Sequence, residues 1–131
     1  MAAKREIISS KATVDPSKVF GIPVSSAVRF GDLLFCAGQV SVNPATGKPE
    51  LGTVESETRR VLENLKIVLE SAGSSLDKVL KTTVFLTDLG EFDTMNRVYR
   101  EFFPKDPPAR STVQVKLVKG FKVEIECIAA A

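Results

Sequence analysis

Arg110 stands between the rigid pair Pro107-Pro108 and a segment that opens Ser111-Thr112, so its backbone is fixed where its side chain is free to enter a cleft. A planar guanidinium grips a carboxylate through two parallel hydrogen bonds, and nearby backbone amides share the anion. Such a contact contributes about 1.5 to 3 kcal/mol. The plainer alternative is a solvated arginine at a strand end. Glu124 lies on an alternating segment whose polar positions are Lys122, Glu124 and Glu126. On an outer sheet face it is a solvated carboxylate; covered by a neighbouring subunit, it could hold a water and exchange its proton, worth about 10² to 10⁴ in rate.

The chain contains no histidine, which removes Ser-His-Asp triads, Cys-His pairs and the imidazole base together. Chemistry falls to Arg, Lys, Glu, Asp, Tyr, Cys or backbone amides. Gly38-Gln39, at a strand end, offers a backbone amide to an anion or simply terminates the strand. Asn96, near Met95, Tyr99 and Phe103, reads as a helix-surface amide. Cys36 and Cys127 each sit in an apolar run, as buried thiols rather than a disulfide framework or zinc site. Lys116, Lys119 and Lys122 cluster with only Phe121 as an aromatic, unlike a single-strand nucleic-acid binder. Phosphate-loop, CxxC and EF-hand spacings are missing.

The elements that must position these residues follow from periodicity. Ile7-Ile8 is a short extended segment. Ala27–Phe30 and Leu33–Ala37 form a hairpin around Gly31-Asp32, and Asn43–Pro49 is a turn-rich loop. Val54, Val61, Leu65, Val68 and Ala72 mark a helix capped by Thr53 and stopped by Gly73, with Glu55, Glu57, Arg59, Lys66 and Glu70 mostly on the other face. Lys78–Thr87 is apolar on both sides, as an inner strand is. Asp88, with Glu91 in a capping box, starts a second helix whose buried stripe is Phe92, Met95, Val98, Tyr99 and Phe102; Pro104 ends it. Ser111–Val118 and Phe121–Ala129 read as two closing strands.

The order β-β-β-α-β-α-β-β predicts an α+β fold: one mixed sheet with two helices on one face. The 131 residues, 44% of them hydrophobic, suit a single domain over 1–131. With 18 basic against 16 acidic residues, the net charge of +2 names no anionic partner. No apolar run approaches the length of a membrane span, and no leader or transit pattern opens the chain. An intracellular protein is expected, cytoplasmic with a mitochondrial setting as the alternative. The uncovered sheet face predicts oligomerisation. A turn within Leu117–Gly120 would set Glu124 opposite about Val113, roughly 10 Å along the ladder from Arg110; turn register decides whether the two share a face.

Four segments in order, Phe35-Cys-Ala-Gly-Gln-Val-Ser-Val-Asn-Pro-Ala-Thr-Gly47, Lys81–Leu89 with Glu91–Asn96, Pro108-Ala-Arg-Ser-Thr-Val113 and Val123-Glu-Ile-Glu-Cys-Ile-Ala129, resemble the Rid/YjgF family of reactive intermediate deaminases. The resemblance implies a homotrimer of chorismate-mutase-like subunits with ligand clefts between neighbouring chains, and no metal or bound cofactor. It implies hydrolysis of 2-imino acids, formed from enamines released by pyridoxal-phosphate enzymes, to 2-oxo acids and ammonia. Arg110 matches the arginine that holds the substrate carboxylate, and Glu124 the glutamate that positions water. The Thr112 amide and Gly38 backbone fall at ligand-contact positions. Val24 stands where the deaminase group carries a tyrosine. Ala37 replaces a frequent serine, Thr112 a frequent cysteine, and Leu117-Val-Lys-Gly a common Leu-Pro-Lys. RNA cleavage, attributed to some members, is disfavoured by the lack of histidine and of a basic groove.

Overall fold

The computed structural model describes residues 3–9 and 15–131. The chain runs β1 (Arg5–Ile8), α1 (Pro16–Phe20), β2 (Ala27–Phe30), β3 (Leu33–Gln39), α2 (Val54–Ser71), β4 (Val79–Leu86), α3 (Phe92–Phe102), β5 (Ala109–Gln114) and β6 (Val123–Ala130). The six strands make one sheet in the order β1-β2-β3-β6-β4-β5, parallel only between β4 and β5. The expected order of major elements and the α+β class both hold. α1 was not anticipated. Its signals are Asp15, which caps through Ser17 N at 3.0 Å, a proline in the first turn, and Gly21 in the left-handed region to stop it.

β2 and β3 form the expected hairpin, Phe30 opposite Leu33, with Gly31 supplying the positive φ that a two-residue turn requires. The last two strands do not form a hairpin. β5 pairs with β4 alone, while β6 enters between β3 and β4. The physical reason lies at both ends of β5. α3 is long enough to return the chain parallel to β4, and after Gln114 a 3-10 turn at Val118–Gly120, with Lys119 and Gly120 at positive φ, carries it past the end of β4. Three boundaries move accordingly: Arg110 lies inside β5 rather than before it, β5 ends at Gln114 rather than Val118, and Phe121 lies outside β6, buried in a small cluster with Val40 and Val42.

α2 and α3 cover one sheet face. Val61, Leu62, Leu65, Val68 and Leu69 of α2 pack on Leu34, Val84, Leu86 and Ile125. Thr53 caps α2 with Ser56 returning the bond, as the sequence predicts for the cap residue. Glu57, expected on the solvated side, is fully buried: its carboxylate accepts from Gly52 N (3.1 Å) and Lys122 N (2.9 Å). Backbone donors that no helix or strand satisfies draw it inward. The Asp88–Glu91 capping box does not form. Asp88 caps a separate 3-10 turn through Gly90 N at 2.8 Å, and Glu91 makes no side-chain cap to α3. Phe92 consequently sits on the first turn with 39% exposure, and Phe102 is only partly buried; Met95, Val98 and Tyr99 are the buried stripe.

The opposite sheet face is uncovered and carries exposed apolar side chains beside polar ones such as Lys81, Ser111 and Glu126. Phe30, Leu33, Phe35 and Val113 lie on it, with exposures of 52%, 39%, 42% and 41%.

Candidate functional site

Arg110 is in register with Thr82 of β4, and both point toward the helices. Thr82 Oγ1 and the Tyr99 hydroxyl share a buried hydrogen bond of 2.7 Å, which fixes the Tyr99 ring beside Arg110. The guanidinium carbon lies 4.8 Å from the Tyr99 ring centre and 5.6 Å from that of Phe92, with Nη1 4.0 Å from Met95 Sδ. Aromatic faces stabilise the cation by about 0.5 to 2 kcal/mol without occupying its in-plane donors. Among the described residues no carboxylate pairs with it. The guanidinium opens into a cleft also lined by Asn96, Arg100 and Pro108. Burial raises the Tyr99 pKa, with the Thr82 hydrogen bond and the Arg110 charge opposing.

Thr112 shares the face of Arg110. Its Oγ1 is buried with no hydrogen-bond partner. β5 is an edge strand, so alternate backbone groups along it face away from β4, open to a ligand or another chain.

Glu124 is on the other face. It is in register with Phe85, itself in register with Val113 of β5, so Arg110 and Glu124 are separated by three residues and two strand spacings, roughly 10 Å in each direction. The sequence left their parity open; the register puts them on opposite sides of the sheet, Glu124 with the uncovered face. Its carboxylate lies over Gly38, at the irregularity in the β3–β6 ladder between Cys36 and Gln39. A Cβ at Gly38 would come within 2.4 Å of Glu124 Oε2, so the glycine is what admits the carboxylate. Burial first, and the neighbouring Glu126 charge second, raise the Glu124 pKa above the ordinary carboxylate value.

Glu124 and Gly38 border a cavity of about 480 Å³ whose wall also includes Val24. The structure thus joins Glu124, Gly38 and Val24 in one cavity, and Arg110 and Asn96 in another with Thr112 beside them. Sequence reasoning assigns no role to α1, whose Val19 and Phe20 wall the Glu124 cavity, nor to Val118 on its rim. The Asp15-Pro16-Ser17 start and the Gly21 stop were the available signal.

Cys36 and Cys127 are buried and free, on neighbouring strands in register. Hydrogen bonding to Cys36, then burial, pushes the Cys127 pKa up, so this thiol is held protonated. Among the described residues no helix is long and apolar enough to cross a membrane.

Comparison with known proteins agrees with this architecture. The family model described as Endoribonuclease L-PSP matches residues 21–131. Protein mmf2, mitochondrial, from Schizosaccharomyces pombe is 46% identical over 126 residues, covering 92% of this chain and 98% of that protein. Reactive Intermediate Deaminase A, chloroplastic, from Arabidopsis thaliana is 39% identical over 129 residues, covering 98% of this chain and 67% of that protein. The crystal structure of YyfA from Yersinia pestis, described as a conserved Rid-family protein of unknown function, superposes with a TM-score of 0.87 at 39% identity, covering 98% of this chain and all of that one (100%). Matched over residues 21–131, which hold five of the six strands, by one family model and nearly end to end by these relatives, the chain belongs to the Rid/YjgF family.

Proposed function

We propose that the protein hydrolyses 2-imino acids to 2-oxo acids and ammonia, in a homotrimer whose site joins Arg110 of one chain to the Glu124 cavity of its neighbour. The observation that carries the reading is the division of the site: a guanidinium with no carboxylate partner among the described residues on one sheet face, a half-buried carboxylate on the other. Neither half suffices alone. The exposed apolar side chains of the uncovered face give a second copy a surface to bury, and the Arabidopsis relative carries the deaminase activity in its name.

In this reading Arg110 takes the substrate carboxylate with two hydrogen bonds, and the backbones at Thr112 and Gly38 complete its surroundings. Glu124 accepts a proton from water as the water oxygen attacks the imine carbon; the C=N bond becomes C–N and its electron pair passes to the nitrogen. Glu124 then passes on the proton it holds, the second proton of the former water also reaches nitrogen, the C–N bond breaks, and ammonia leaves as the C=O bond forms. A carboxyl whose pKa is raised suits both directions of transfer, since proton exchange is most effective near the working pH. The test couples the protein to a threonine dehydratase and follows 2-oxobutyrate. Acceleration over the free enamine, lost in Arg110→Ala, is expected; no acceleration, or an unimpaired variant, sinks the proposal.

One observation favours a second reading, a non-catalytic binder of small carboxylates: Val24 puts an apolar side chain in the Glu124 cavity where the deaminase group has a tyrosine hydroxyl. Saturable 2-oxobutyrate binding without turnover would select it. The nuclease named in the family description finds little support in a chain with no histidine and a net charge of +2. As for compartment, the fission-yeast relative is named mitochondrial, and a mitochondrial setting suits this chain as well as the cytoplasm.

A further inference from the structure

The cavity around Glu124 is larger and more apolar than the acid of three or four carbons that a small 2-imino substrate would present. Its floor is a hydrophobic cluster distinct from the main core: Val40, Val42 and Phe121 are buried there, with Val19 and Phe20 of α1 packed against them. The Phe20 and Phe121 rings meet edge to face, centres 6.3 Å apart, which fixes the floor's shape. Its rim is apolar and open to solvent: Ile22, Val24 and Val118 keep 42%, 38% and 70% of their surface exposed. Three apolar side chains gathered at the mouth of a cavity with a carboxylate inside mark a binding surface rather than scattered exposure. The volume of about 480 Å³ falls within the usual range for organic ligands, roughly 300 to 1,000 Å³.

We infer that the protein prefers 2-imino acids with a branched aliphatic or aromatic side chain, held by the apolar wall of this cavity while Arg110 of the neighbouring chain holds the carboxylate. This rests on the imine-hydrolase reading and adds the substrate class to it. Val24 and Val118 are then specificity-determining residues. Val24 contributes by presenting methyl groups in the family tyrosine's place, and Val118 by standing on the 3-10 turn directly before Lys119, whose Nζ lies over the Phe20 ring at 5.9 Å from its centre. A methylene placed in a fitted apolar pocket changes selectivity by about 10-fold or more.

The experiment titrates the intact protein calorimetrically with pyruvate, 2-oxobutyrate, 4-methyl-2-oxopentanoate and phenylpyruvate, product analogues that need no turnover to bind. In parallel, imines are released in solution by an amino-acid oxidase from 2-aminobutyrate, leucine or phenylalanine, and their hydrolysis is followed. The expected result is at least about 10-fold tighter binding of 4-methyl-2-oxopentanoate than of pyruvate, with KM falling along the series more than kcat rises. Val118→Asp and Val24→Ser, both at exposed positions, should collapse that affinity ratio. Equal affinities, or preference for pyruvate, overturn the inference. So does an unchanged ratio in both variants, including the case where Val118→Asp alters the size of the assembly, because the rim would then belong to a neighbouring chain rather than to substrate. A preserved preference without any turnover would instead refute imine hydrolysis and leave the apolar pocket standing.

Discussion

At the scale of single residues, Glu124 is held where its charge is costly. Burial and the Glu126 carboxylate raise its pKa, so between its unfolded and folded pKa values the native state binds the extra proton. The sign follows: this group favours the native state below the unfolded value, and that contribution is lost as pH rises through the folded value. Glu124→Gln, neutral at every pH, should therefore melt above the parent at neutral pH while its hydrolysis falls by about 10²-fold or more. Thermal melts and coupled assays across pH check both halves, and a variant that loses activity together with stability would contradict the assignment. Gly38 gives a second test. Adding one methyl displaces the Glu124 carboxylate, since Oε2, Cδ and Cγ would lie at 2.4, 2.8 and 2.9 Å from the new Cβ. Gly38→Ala should thus lower kcat by displacing Glu124, and adding Glu124→Gln to it should cost less activity than Glu124→Gln costs the parent.

At the scale of elements, the cavity depends on how α2 holds the chain segments around it. The buried Asn64 amide donates to Val42 O at 2.9 Å, fixing the stretch after β3 that supplies the cavity floor. The buried Glu57 carboxylate accepts the Lys122 amide, two residues before Glu124, and the Gly52 amide ahead of the helix. Hydrogen bonds to a charged group contribute about 1.5 to 3 kcal/mol each, and the two donors would be left unpaired without it. Glu57→Ala should lower stability by about 3 kcal/mol in urea titrations with little change in slope, and Glu57→Gln, which keeps an acceptor, should recover part of the loss. Equal losses would show that shape, not hydrogen bonding, is what Glu57 provides. On the Arg110 side the corresponding device is the Thr82–Tyr99 bond, which ties β4 to α3 under the guanidinium.

At the scale of the whole molecule, the two faces of the sheet carry the two halves of the proposed site. A closed ring in which each chain offers Arg110 to one neighbour and Glu124 to the other makes a specific prediction. Arg110→Ala and Glu124→Ala proteins, each inactive, should regain activity when unfolded and refolded together in equal amounts, to about a quarter of the parent level by random mixing in such a ring. Co-refolded protein that stays inactive would place both residues in one chain's site. Phe30→Asp with Phe35→Asp, on the uncovered face, should break the assembly in light scattering and abolish turnover with it, the secondary structure by circular dichroism remaining.

Local pattern determined much of this protein. The β2–β3 hairpin, the Thr53 cap, the Gly73 stop and the amphipathic stripe of α2 were legible because each depends on neighbours within a few residues. Arg110 and Glu124 stood out by residue type and family likeness. Their relation did not, because it depends on β6 entering between β3 and β4 rather than pairing with β5, and strand order is set by long-range packing that no short window contains. The burial of Glu57, the contribution of α1 to the cavity and the placing of Arg110 and Glu124 on opposite faces were all decided by tertiary structure: each requires segments far apart in the chain to meet.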